Sequence, residues 1–172
     1  MSVQKNSGDL ITFESGTLFG RIIRIGQRLL GRKRNSAVIH VALCYGGGTL
    51  IFDSVIGRGV RLRTLDSNNP SWKNIKHHPL NVPLTSIENE QLAEFINLYH
   101  GNTKYERSLK ELFMSVFDFN KNQKPDTRYF FCSELVAEFM QRIGRLPPYK
   151  SSNEYTPQDI ANSFLWRKTN AK

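Results

Sequence analysis

The chain has 172 residues, of which 39% are hydrophobic and 23% are charged, and its formal net charge is +9. This length and composition predict one globular domain over residues 1–172 and exclude a largely disordered chain. No stretch reaches the roughly 20 apolar residues of a membrane-spanning helix. Residues 1–9 are too polar for a signal peptide, so a cytoplasmic protein with two free cysteines is expected.

The positive charge favours contact with an anionic partner. The sequence has no zinc-finger spacing, basic-region heptad or RNA-binding sheet motif, so no specific nucleic-acid recognition is predicted. A turn followed by a short alternating strand is predicted within residues 8–13. Residues 17–30 then carry the apolar and arginine stripes of a basic amphipathic helix. This helix is expected to pack on the domain. The alternative is that residues 18–34 bind an anionic membrane surface.

Two apolar, β-branched segments flank the glycines at 46–48 and predict a β-hairpin over residues 37–55. A two-residue turn at the first two glycines would place His40 opposite Asp53, with Cβ atoms about 5 Å apart. A three-glycine loop would place Ser54 there instead, so both registers remain open. A carboxylate beside an imidazole stabilises the protonated ring. The alternative for His40 is a core histidine satisfied by a neighbour.

The middle of the chain predicts a helix with a defined start. Thr85 and Glu88 have the spacing of a capping box, and apolar residues recur at helical spacing until Gly101. In the strand that follows the hairpin, the alternating arginines are expected to face solvent. The other predicted elements are strands over 59–65, 75–82 and 164–168 and helices over 105–117 and from Pro157 onward.

The segment from Tyr129 to Met140 leads one cysteine into the start of a predicted helix. Apolar residues recur at three- and four-residue spacing from Leu135 onward, and Gly144 is suited to the end of the helix. Cys132 therefore falls in the first turn, where unpaired N–H groups and the helix dipole favour the nucleophilic thiolate. From this segment alone, a buried cysteine that acts as a small hydrophobe is the alternative.

The predicted strand that carries His40 precedes the predicted helix that carries Cys132. In this order the chain resembles the circularly permuted papain-like cysteine hydrolases of the NlpC type, which are related to the lecithin:retinol acyltransferases. The resemblance covers most of the chain. It implies an α+β fold in which a central antiparallel sheet or partial barrel packs against helices, with the nucleophilic cysteine at a helix N-terminus. The matching segments are Gly8-Asp9-Leu10, His40-Val41-Ala42, Asp53, Gly59-Val60, Gly101, Tyr105, Cys132-Ser133-Glu134-Leu135-Val136 and Thr156-Pro157.

Carried over position by position, the resemblance implies Cys132 as nucleophile, His40 as general base and acid, and Asp53 as the carboxylate that orients the imidazole. The family more often has Glu at the position of Asp53. It also implies that Tyr105 lines the substrate cleft, with packing under the helix as the alternative, and that no cofactor is needed. The thiol, imidazole and carboxylate independently form a generalised catalytic triad. The implied reaction is hydrolysis or acyl transfer at the amide or ester bonds of cell-wall peptides or lipids, through an acyl-enzyme.

Two other functions remain as hypotheses. One is a metal site with ligands drawn from His40, Cys44, His77, His78, His100 and Cys132. On one strand, His40 and Cys44 would lie about 13 Å apart, too far to share an ion. No metal is therefore predicted. The other hypothesis is a non-enzymatic module that keeps the same fold and binds lipid or nucleic acid through its basic surface.

Overall fold

A computed structural model describes residues 5–14, 38–55, 58–65, 73–101 and 131–167. Within these ranges the chain has an α+β fold, as predicted, and no helix there is long and apolar enough to span a membrane. The predicted helices over 17–30 and 105–117, the basic run up to residue 34, and Tyr105 lie outside the described residues. The strands are β1 (Leu10–Glu14), β2 (Val38–Tyr45), β3 (Leu50–Val55), β4 (Gly59–Thr64) and β5 (Lys73–His78), and the helices are α1 (Ser86–Tyr99), α2 (Cys132–Arg142) and α3 (Pro157–Ala161).

The five strands form one antiparallel sheet in the order β4-β3-β2-β1-β5. The first strand of the chain thus lies between β2 and β5, while β4 and β5, which are neighbours in sequence, form opposite edges. The strand predicted over 75–82 begins earlier and ends at His78. In place of the strand predicted near the C-terminus, Trp166 makes a single bridge to Leu80.

Aromatic side chains join the helices to the sheet. Phe95 of α1 packs edge-on against Phe52 of β3, with ring centroids 6.0 Å apart, and against Phe139 of α2 at 5.5 Å. All three rings are fully buried. Because one ring touches both a strand and the second helix, α2 is held in a defined position relative to the sheet.

The helix starts follow the sequence signals. Thr85 caps α1 by accepting a hydrogen bond from the Glu88 N–H at 3.2 Å, and the Glu88 carboxylate accepts one from the Thr85 N–H at 2.8 Å. The predicted capping box is confirmed. Glu88 also binds Arg145, just beyond the end of α2, through two contacts of 2.6 Å. This ion pair connects the start of one helix to the end of the other.

The hairpin between β2 and β3 differs from both predicted registers. Tyr45 pairs with Leu50, so the loop has four residues, 46–49. Its first two glycines have φ values of +58° and +69°, as a primed turn requires, but the next two residues also remain outside the ladder. Lengthening a two-residue loop by two residues preserves the alternation of faces. His40 and Asp53 therefore remain on one face as diagonal neighbours.

Gly8 occupies a position that a side chain cannot enter without strain. Its φ is +86°, and an added Cβ would lie 2.8 Å from carbon atoms of Leu80 and Leu84. Gly8→Ala is therefore expected to lower the free energy of unfolding by about 1–3 kcal/mol more than Gly47→Ala. Gly47 shares the left-handed conformation, with φ +69°, but has nothing within 4 Å of an added Cβ. Urea unfolding of both variants measures this difference, and equal losses would contradict it.

Candidate active site

A histidine and a carboxylate meet between β2 and β3. The Nε2 atom of His40 lies 2.9 Å from Oδ2 of Asp53. The histidine is 7% exposed, and the aspartate is fully buried. The ring also contacts Phe13 of β1, with centroids 5.2 Å apart. Since Nε2 is hydrogen-bonded to the carboxylate, Nδ1 is the ring nitrogen left for proton exchange with another group.

Asp53 has a second cationic partner in Arg63 of β4. Arg63 donates from Nη2 to Oδ2 at 2.7 Å and from Nε to Oδ1 at 3.3 Å. Burial by itself would raise the pKa of Asp53, but its bonds to His40 and Arg63 hold that pKa below the ordinary value of 3.8. Asp53 is therefore ionised at neutral pH and fixed from two sides.

The expectation that the arginines of β4 face solvent is wrong. Arg61 and Arg63 alternate along the strand on the face that carries Asp53, and Arg61 is paired directly with Asp53 across the ladder. Their side chains are only 25% and 18% exposed. The sequence signal for this position is the alternation itself. Arginines on every second residue of β4 share one face, and that face lies beside the strand that contains Asp53.

Cys132 is the first residue of α2 and is partly exposed. Its thiol group is within hydrogen-bonding reach of His40. Burial lowers the pKa of His40, but the negative charge and hydrogen bond of Cys132, together with those of Asp53, raise it to about 9. The structure thus brings together three residues singled out from the sequence, Cys132, His40 and Asp53. The sulfur and the carboxylate both favour the protonated imidazole.

The start of α2 also supplies backbone donors. The Phe131 N–H donates to the Glu134 side chain at 3.2 Å, so this buried glutamate caps the N-terminus of the helix. By helix geometry, the N–H groups of Cys132 and Ser133 have no acceptor within the helix. They lie beside the sulfur and can donate to an oxygen that develops negative charge there.

The other cysteine and histidines lie in separate environments. Cys44 is fully buried, and burial, followed by the charge of Asp9, raises its pKa to about 12. His77 binds Asp9 at 2.7 Å, a pair that the local sequence pattern does not predict because it depends on β5 lying beside β1. Across the described ranges, no three His, Cys, Asp or Glu side chains are grouped so as to hold a metal ion. His78 contacts Thr12, and His100 accepts a hydrogen bond from Leu62.

No protein-family model matches the chain, and no curated protein matches it. Among solved structures, the fold is similar to that of the metalloprotein yiiX from Escherichia coli O157:H7, a DUF1105 protein. The TM-score is 0.66 over 98% of each chain, and the sequences are 13% identical. At this level of identity, the similarity supports the α+β fold and carries no information on activity.

Proposed function

We propose that this protein is a cysteine-dependent hydrolase or acyltransferase of the circularly permuted papain-like type, which cleaves an amide or ester bond through an acyl-enzyme on Cys132. The observation that supports this proposal is the hydrogen-bonded series from Cys132 through His40 to the buried Asp53. Its order along the chain, histidine strand before cysteine helix, agrees with that type. We propose cell-wall peptides and lipid acyl esters as the substrate classes of this protein.

In the proposed reaction, the Cys132 sulfur attacks the substrate carbonyl while His40 holds the thiol proton on Nδ1. Asp53 stabilises the imidazolium, and the N–H groups of Cys132 and Ser133 donate to the oxyanion. Collapse of the tetrahedral intermediate breaks the bond to the leaving group, which takes the proton from His40. The imidazole then deprotonates water or another acceptor, which attacks the thioester, releases the acyl group and restores the thiol.

A metal-dependent reaction is the alternative suggested by the description of yiiX as a metalloprotein. In this chain the histidine nitrogen and the carboxylate oxygen that face each other already share a hydrogen bond of 2.9 Å. Within the described part of the chain, no three suitable side chains are grouped as ligands. The proposal assigns no step to a metal ion.

The proposal predicts an acyl adduct on Cys132. Incubation with an activated ester such as 4-nitrophenyl acetate should add one acetyl group to Cys132, visible by intact-mass analysis and peptide mapping. His40→Ala should slow this labelling because the thiol loses its proton acceptor. The labelling should be unchanged in EDTA and absent in Cys132→Ala, whereas Cys44, fully buried, should remain unmodified. Labelling that is as fast without His40 would contradict the proposed pair. Retention on anionic vesicles without any adduct would instead favour a binding module.

A further inference from the structure

Among the described residues, the charged side chains that face Asp53 are cationic. Arg63 directs two hydrogen bonds at this carboxylate, and His40 binds one of the same oxygens. Arg61 is the third cation on this face, and its Nε lies 3.9 Å from Oδ1 of Asp53, beyond hydrogen-bonding distance. One carboxylate therefore faces two arginines as well as the histidine.

The guanidinium of Arg61 has a hydrogen-bond donor with no acceptor among the described residues. This donor is its buried Nε. The side chain is 25% exposed, so Arg61 is not fully enclosed by the protein. An unpaired buried donor is costly, and in native structures such a group commonly marks the place of a missing partner. The partner that would also balance the excess charge is an anion.

The position of Arg61 relates this anion to the reacting groups. Arg61 is paired directly with Asp53 across the β3–β4 ladder, and Asp53 is bound to His40. Directly paired residues have Cβ atoms about 5 Å apart. A group bound by Arg61 would therefore lie within one side chain's reach of the imidazole that receives the Cys132 proton.

We infer that Arg61 is a substrate-binding residue that recognises a carboxylate or phosphate group close to the bond that Cys132 attacks. The planar guanidinium suits both groups, since each presents two oxygens to a pair of N–H donors. The inference rests on the proposed function for the identity of the reacting bond. Its substrate class is an anionic acyl compound, rather than a neutral one.

Alkylation of Cys132 tests this inference without requiring turnover. Iodoacetate and iodoacetamide differ mainly in the charge of iodoacetate, and the ratio of their second-order rate constants measures how the site responds to an anion. Arg61→Met should lower the iodoacetate-to-iodoacetamide ratio about 10- to 100-fold, as expected for a charge-assisted hydrogen bond. Methionine retains an apolar stem of similar length, so the packing of β4 should persist.

Arg58→Met is the matched control. Arg58 lies just before β4 and is exposed, and its removal changes the net charge equally. The His40 imidazolium also favours iodoacetate, but its contribution is common to all variants. Retention of the wild-type ratio in Arg58→Met and its loss in Arg61→Met would support the inference. A ratio in Arg61→Met equal to that of the wild type would overturn it.

Competition distinguishes the two anionic groups. Inorganic phosphate and glutarate are added separately during alkylation with iodoacetamide, and protection by one of them, lost in Arg61→Met, identifies the group. Protection by neither would overturn the inference. The proposed function fails separately, if no acyl adduct forms on Cys132 while alkylation proceeds with the expected ratios.

Discussion

His40→Ala is expected to lower the rate of ester hydrolysis about 10²–10⁴-fold, the usual contribution of a positioned general acid and base. The variant removes the proton acceptor of Cys132, so the thiol must ionise into water instead. Initial rates with 4-nitrophenyl butyrate measure the loss. His40→Gln should be similarly inactive, since glutamine can keep a hydrogen bond to Asp53 but cannot exchange a proton at neutral pH. It therefore separates loss of chemistry from loss of packing.

The sheet offers a matched control for His40. His77 is also a strand histidine bound to a buried carboxylate, with Nε2 2.7 Å from Oδ2 of Asp9. His77→Ala removes the same kind of pair, yet Cys132 is not among the groups that act on Asp9. We expect it to leave the rate within a few-fold of the wild type while reducing stability. If the two alanine variants lost activity equally, the assignment of His40 as the base would be wrong.

Asp53→Asn is expected to lower the pKa of His40 from about 9 toward the ordinary 6.5, since the negative charge that favours the imidazolium is removed. The protonated ring is needed to deliver a proton to the leaving group. In the wild type this supply ends as the pH rises through about 9, and in the variant it ends at a lower pH. The pH dependence of kcat measures the shift. An unchanged alkaline limit would show that Asp53 does not govern the histidine.

Asp53 should also contribute strongly to stability. Asp53→Ala leaves Arg63 and His40 without their carboxylate, and breaking a buried ion pair in this way typically costs about 3–5 kcal/mol. The pKa of Asp53 is lowered in the folded protein, so its contribution is present above pH 3.8 and disappears as the pH falls further. The pKa of His40 is raised, so its contribution is complete below pH 6.5 and is lost as the pH rises through about 9.

The stability difference between wild type and Asp53→Ala should therefore be largest in the weakly acidic and neutral range and shrink at both extremes. Urea unfolding at a series of pH values measures it. Glu14→Gln is the control, because its ion pair with Lys76 is partly exposed, at 3.0 Å, and should contribute less than about 1 kcal/mol. A loss in Asp53→Ala as small as that in the control would contradict the role assigned to the buried carboxylate.

The candidate site could be found from sequence because its residues stand next to strong local signals. His40 and Asp53 lie on opposite sides of a glycine turn, and Cys132 lies where an apolar helical period begins. The prediction was wrong for the environment of the arginines around Asp53. Alternation places them on one face of a strand, but it does not say whether that face is covered, since covering depends on segments distant in sequence.

The sequence by itself determined several local elements: the strands of the hairpin by their apolar, β-branched runs, and the helix starts by caps such as Thr85 with Glu88. These signals act over a few residues, where backbone geometry and hydrogen bonds are decided locally. Only the tertiary structure decided the four-residue hairpin loop, the position of β5 beside β1, and the meeting of Cys132 with His40. Each of these depends on which distant surfaces bury apolar area together, and the free energy of that choice is spread over many side chains rather than encoded in one motif.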